Sequence, residues 1–193
     1  IVTEATLKLT PLAGSVATVR AAYADMHAAA AAVSRIMAQP VVPRVLEFLD
    51  GAALALLRAR DPGAVPEGAG ALLMIEADGL ADQLPAALAA LRRAAEGEGL
   101  VEWRAARDTA EAAALWAARK ALSPALRSLA PHKINEDVVV PVSRIAELTD
   151  RLERLAHKHA VRIVSFGHAG NGNLHVNVLG EDSDLERMHA CVD

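Results

Sequence analysis

Apolar positions along the chain switch repeatedly between a spacing of two, which suits a strand, and a spacing near 3.6, which suits a helix. Val2–Leu9 alternates and predicts a strand closed by Pro11 and Gly14, and Val16–Tyr23 predicts a second. Asp25 is placed to cap a helix that runs to Ala38 and stops at Gln39-Pro40. Val42–Leu49 predicts a strand, and Asp50 caps a short helix to Arg60. A Pro/Gly loop over 61–70 leads into a buried strand at Ala71–Ala77, a helix at Asp82–Glu96 and a strand at Leu100–Ala105. The long helix Asp108–Ser128 follows, then a strand at Ile134–Val140 and a helix from a Ser143 cap to His159. Val161–Gly167 opens a hairpin, and Asp184–Val192 has a helical pattern.

Residues 134–193 therefore run strand, helix, strand, strand, helix, and 16–105 follow a related order without any sequence repeat. That order predicts an α+β fold of ferredoxin-like split β-α-β units, an antiparallel sheet with helices packed on one face.

Composition narrows the function. Hydrophobic residues make up 53% of the 193 positions and aromatics 3%, so the core is built from Ala, Leu and Val. A net charge of −4, with no basic run interleaved with aromatics, argues against a nucleic-acid partner. A single cysteine, Cys191, excludes an internal disulfide and fits a reducing compartment, so the expected location is cytoplasmic. No apolar run reaches the ~18–20 residues of a membrane span, which leaves peripheral attachment to the inner membrane as the other placement. Ile1 is not an initiator Met and Asp184–Val192 stops without a cap, so the expectation is a fragment of a longer chain.

The densest chemical signal is Ser165-Phe166-Gly167-His168-Ala169-Gly170-Asn171-Gly172-Asn173-Leu174-His175-Val176-Asn177-Val178. Gly170-Asn171-Gly172-Asn173 suits a tight reversal, because Gly and Asn tolerate positive φ. With residue numbers summing to 343, His168 would lie directly opposite His175, their Cβ atoms about 4.5–5.5 Å apart. Asn173, His175 and Asn177 alternate with Leu174, Val176 and Val178, which separates a polar from an apolar face. Two facing imidazoles can share a metal or a substrate, although two ligands alone do not complete a metal site.

Arg119 and Ser123 fall on the apolar stripe of Ala112, Leu115, Trp116, Leu122 and Leu126. An inward guanidinium needs an anion, either a structural carboxylate or the carboxylate of a substrate. Lys133, followed by Asn135, Glu136 and Asp137, stands at a strand entrance as solvated rim or as a second cation for an anion. Gly170-Asn171-Gly172 is no dinucleotide fingerprint, since a strand follows it, and no Gly-x-Ser-x-Gly, Walker or Cys-x-x-Cys motif is present.

These motifs, taken together, resemble the C-terminal, substrate-side domain of FAD-linked oxidases, the group of D-lactate dehydrogenase, glycolate oxidase and D-2-hydroxyglutarate dehydrogenase. The resemblance rests on Leu115-Trp116-Ala117-Ala118-Arg119-Lys120, on Lys133–Pro141 and on the Gly167–Asn177 loop. It implies that residues 1–12 are the last strand of an FAD-binding domain and 13–193 the substrate domain, truncated at its C-terminal end. It implies His168 and His175 as catalytic and metal-ligating residues for a divalent ion, often zinc. Arg119 and Lys133 would hold a substrate carboxylate, with Ser123 nearby and Asn177 lining the site. A Gly-Glu-His-Gly segment beyond Asp193 would supply the third ligand and a candidate base. Asn171 stands where many members have Asp.

The implied function is FAD-dependent oxidation of a D-2-hydroxy acid, D-lactate first, to the 2-oxo acid by hydride transfer to FAD held mainly by the other domain. Glycolate or D-2-hydroxyglutarate are the alternatives within the family, and a non-catalytic α+β binding module is the alternative outside it. The fragment alone is expected to be inactive, and a homodimer is compatible with it. A zinc hydrolase is disfavoured, because no general-base Glu accompanies the histidine pair in sequence.

Overall fold

A computed structural model describes residues 2–9, 14–127 and 129–193. Its elements are β1 Ser15–Tyr23, α1 Met26–Ala38, β2 Val45–Leu49, α2 Gly51–Arg60, β3 Ala71–Gly79 and α3 Leu84–Ala95. They continue with β4 Leu100–Ala105, α4 Thr109–Arg127, β5 His132–Val139, α5 Ile145–His159, β6 Arg162–His168, β7 Asn173–Gly180 and α6 Leu185–Val192. The strands form one sheet in the order β4-β1-β3-β2-β6-β7-β5, and every neighbouring pair is antiparallel. The α+β class expected from the sequence is the observed one.

Alternation along each strand sends side chains to two faces, and each face has its own core. Val19, Ala21, Tyr23, Leu73 and Ile75 pack with α1, α3 and the start of α5. Ala22, Leu72, Met74, Val164 and Phe166 pack with α2 and α4 on the opposite face. The expected placing of the helices on one face is therefore corrected: α1, α3 and α5 cover one face and α2 and α4 the other, because β1, β2, β3 and β6 are apolar on both sides.

Local differences from the sequence reading have local causes. Val2–Leu9 forms no strand and is exposed throughout, because a lone extended segment has no neighbour to take its backbone hydrogen bonds. The strand expected at Val42–Leu49 is β2, which starts at Val45 rather than Val42, since Pro43 has no N–H to give a ladder. Ser143 does not cap α5. It lies inside a 3-10 turn, Val142–Arg144, in which Arg144 N donates to Pro141 O at 2.7 Å. Pro11 and Ser128 lie outside the described residues.

The hairpin register also differs. His168 faces Asn173 and His175 faces Phe166, so paired numbers sum to 341. The turn occupies a 3-10 segment, Ala169–Asn171, closed by Gly172 at φ 77° with its N–H on Ala169 O at 3.1 Å. A Cβ on Gly172 would stand 1.9 Å from Val140 O, so the end of β5 fixes which glycine closes the turn.

Asp25 and Asp50 cap their helices as expected, accepting from Ala28 N at 2.8 Å and Ala53 N at 2.7 Å. Asp50 also accepts from Ser165 N, tying α2 to β6. Burial pushes its carboxyl up to about 7, against the opposing pull of the Ala53 and Ser165 N–H groups. A folded-state value above the ordinary 3.8 means that the folded chain binds the extra proton between these limits. This contribution to stability is complete below about pH 4 and is lost as pH rises through about 7. Asp50→Asn keeps an N-cap oxygen and has no titration, so urea midpoints between pH 4 and 8 should fall with pH less for the variant than for the wild type.

Candidate metal and anion site

The site grows from rows of opposed residues on the α4 face of the sheet. Glu47 of β2 is the direct partner of His168 on β6. One row along, Phe166, His175 and Asp137 face one another across β6, β7 and β5. Val164, Asn177 and Asn135 make the next row, and Leu179 and Lys133 the one after. Residues directly opposed in an antiparallel pair point to the same side, so both carboxylate–imidazole contacts follow from the ladder itself.

Glu47 Oε1 meets Nδ1 of His168, and Asp137 Oδ1 meets Nδ1 of His175. The two imidazoles stand edge to face with centroids 5.5 Å apart. Direct opposition was expected and does not occur, yet the diagonal placement still brings the rings together. A carboxylate on Nδ1 leaves Nε2 as the ligand atom, the usual support of a metal-binding histidine. The donor set fits two ligands of a divalent site. Among the described residues no third His, Cys, Asp or Glu joins them.

Glu47 is 2% exposed and carries a second partner. Arg119 of α4 donates to its Oε2 from Nε at 2.8 Å and approaches it through Nη2 at 2.7 Å. The guanidinium lies 4.7 Å from the centre of the Phe166 ring. Of the two readings of Arg119, the carboxylate partner is therefore present inside the chain. One turn earlier, Trp116 Nε1 donates to Glu76 Oε1 at 2.6 Å, and Thr18 Oγ1 donates to the same oxygen at 2.9 Å. Trp-x-x-Arg thus places two donors on one side of a helix, each held by a carboxylate from an adjacent strand.

A cleft of about 530 Å³ opens beside this pair. Its lining combines the basic Arg44, Arg119, Lys120 and His168 and the buried Glu47 with the apolar Met37, Val42 and Trp116. The remaining expected residues stand apart from it. Lys133 and Asn177 share the face of His175 on more distant rows, and Ser123 is exposed on α4. Asn177 is buried, and its Nδ2 donates to Val164 O at 3.1 Å and His175 O at 3.3 Å. Its Oδ1 is buried and has no partner among the described residues.

Sequence reasoning passed over Glu47, Glu76, Arg44 and the role of Asp137. The signal for the two glutamates was available, since each is a lone carboxylate in an apolar strand and must find donors there. Asp137 read as rim, because its place opposite His175 depends on how β5 pairs with β7.

The model of the family described as FAD linked oxidases, C-terminal domain, matches residues 13–193. The chain belongs to the FAD-linked oxidase C-terminal domain family. Among its relatives is the glycolate oxidase subunit GlcD of Bacillus subtilis (strain 168), 37% identical over 97% of this chain and 40% of that protein. D-lactate dehydrogenase of Anaerostipes hadrus is 29% identical over 95% of the chain and 40% of its own length. The chain thus spans about two fifths of these curated relatives. The fold of p-cresol methylhydroxylase with substrate bound superposes with a TM-score of 0.71 at 12% identity, covering 94% of this chain and 42% of that one. In this FAD-linked oxidase domain no described helix is long and apolar enough to cross a membrane.

If the α4 contacts hold the domain's site together, Trp116→Phe should destabilise it by about 1–3 kcal/mol, the cost of leaving a buried acceptor short of a donor. Urea unfolding measures this, and a change below about 0.5 kcal/mol would remove the Trp116–Glu76 bond from the energetics of the fold.

Proposed function

We propose that this domain is the substrate side of an FAD-dependent 2-hydroxy-acid dehydrogenase that oxidises a small D-2-hydroxy acid to the 2-oxo acid. The observation that carries this reading is a pair of carboxylate-held imidazoles, of which His168 lines a cleft together with Arg44, Arg119 and Lys120. Nε2 of His168 and Nε2 of His175 would hold a divalent metal, zinc being suited to imidazole donors. When bound, FAD supplies the hydride acceptor, held mainly by a domain outside this chain, and the metal supplies a Lewis acid for the substrate hydroxyl.

The chain's own groups do the positioning. Glu47 and Asp137 hold the two imidazoles by Nδ1. Arg119, whose Nε and Nη2 are engaged by Glu47, would reach the substrate carboxylate through Nη1, with Arg44 and Lys120 lining the same cleft, and so orient its Cα. Trp116, Met37 and Val42, which also line the cleft, displace water from it. Asn177 Oδ1, buried one row beyond His175, would be satisfied by an ordered water. D-lactate is the first substrate to test, and glycolate stands beside it because of the 37% identity to a glycolate oxidase subunit.

In the full-length protein, D-lactate or glycolate should bleach the flavin absorbance, and failure of both together with D-2-hydroxyglutarate would reject the reading. Arg119→Ala should lower kcat/KM by about tenfold to a hundredfold, the value of a charge-assisted hydrogen bond. An unchanged kcat/KM would take Arg119 out of the site. Elemental analysis should find less metal in His168→Ala and His175→Ala than in the wild type, and a metal-free wild type would remove the metal from the mechanism.

A further inference from the structure

We propose that Glu47 is a positioning residue, a single buried carboxylate that sets the tautomer of His168 through Oε1 and the orientation of Arg119 through Oε2. The assignment rests on the reading of His168 Nε2 as a ligand atom. Neither residue adjoins Glu47 in sequence: His168 lies 121 positions away and Arg119 72. The carboxylate sits in a central strand with its side chain 3% exposed, so neither oxygen exchanges its partner for water. Paired with a guanidinium, it only accepts hydrogen bonds. A neutral imidazole against it must therefore carry its proton on Nδ1, and the lone pair is left on Nε2 of a ring that lines the cleft. His168 itself is exposed enough to turn, with 54% of its side chain accessible, and this contact is what restrains it. Asp137, which holds His175, is by contrast 59% exposed on an edge strand and imposes less.

The geometry also couples the two halves of the site. Whatever moves Glu47 moves a metal-side imidazole and an anion-side guanidinium together. Replacing one oxygen by an NH₂ group breaks this arrangement in a predictable direction. In Glu47→Gln the guanidinium still needs an acceptor and takes the remaining oxygen. The amide NH₂ then faces Nδ1 of His168 and donates to it, which pushes the imidazole proton to Nε2 and occupies the ligand position.

Long-range ¹H–¹⁵N NMR of the chain, recorded where the ring nitrogen shifts show a neutral imidazole, reads the tautomer directly. The wild type should show His168 protonated on Nδ1, and Glu47→Gln should switch it to Nε2. The double variant Glu47→Gln with Arg119→Met frees the amide oxygen to turn back and should restore Nδ1, a rescue that a purely structural role would not produce. Asp137→Asn should shift the tautomer of His175 less completely. In the full-length protein, chelator competition should show metal affinity about 10- to 100-fold weaker for Glu47→Gln. A wild-type His168 protonated on Nε2, or a tautomer unchanged in Glu47→Gln, overturns the assignment, and the wild-type spectrum decides even if the variant does not fold. Absence of metal from the full-length wild type would instead overturn the metal reading, and the tautomer result separates the two failures.

Discussion

The burial of the Glu47 carboxylate is the constraint on which the site depends. An ionised group 2% exposed in a central strand is tolerated only when its oxygens are matched by donors, because an unpaired buried charge costs several kcal/mol. One donor comes from the neighbouring strand β6 and the other from α4 across the face of the sheet. Satisfying both fixes the pairing of β2 with β6 and the rotation of α4 about its axis. Glu76 makes the same demand one turn away and is met by Trp116 and Thr18. Two carboxylates therefore set how α4 lies, and Leu122 and Leu126 complete its seat with apolar contact.

Strand register does the rest. A slip of one residue between β6 and β7 would send the imidazoles to opposite faces, since side chains alternate with a period of two. A slip of two keeps the face and displaces each partner by about 6.6 Å along the strand. The difference between the expected sum of 343 and the observed 341 is of this second kind. That is why the histidine pair survived the register error while the identity of the opposed residues did not: His168 faces Asn173, and His175 faces Phe166. The turn that decides between the two registers is closed by Gly172 against Val140 O, a contact from the residue that follows β5, more than thirty positions earlier.

Much of this was legible from the chain alone. Hydrophobic spacing located each described element of the sheet and its helices, and Asp25 and Asp50 announced the starts of α1 and α2 through the N–H groups they cap. Arg119 stood out because a guanidinium on an apolar stripe must have a partner, whereas Trp116 read only as part of that stripe. Failures cluster where the deciding atom lies elsewhere in the sequence. Val2–Leu9 has the alternation of a strand but no neighbour to pair with among the described residues, and Ser143 yields its capping role to the turn that Pro141 starts.

By itself the sequence determined the inventory: which segments favour helix or strand, which faces are apolar, and that two imidazoles and a guanidinium are candidates for one site. Those properties depend on spacing and on local backbone bonds, and both can be read within a few residues. Only the tertiary structure decided that Glu47 belongs to Arg119 and His168, that Asp137 belongs to His175, and that Lys133 and Ser123 stand away from the cleft. Strand order and helix rotation make those choices, and both are set by burying two separate cores across positions far apart in the chain.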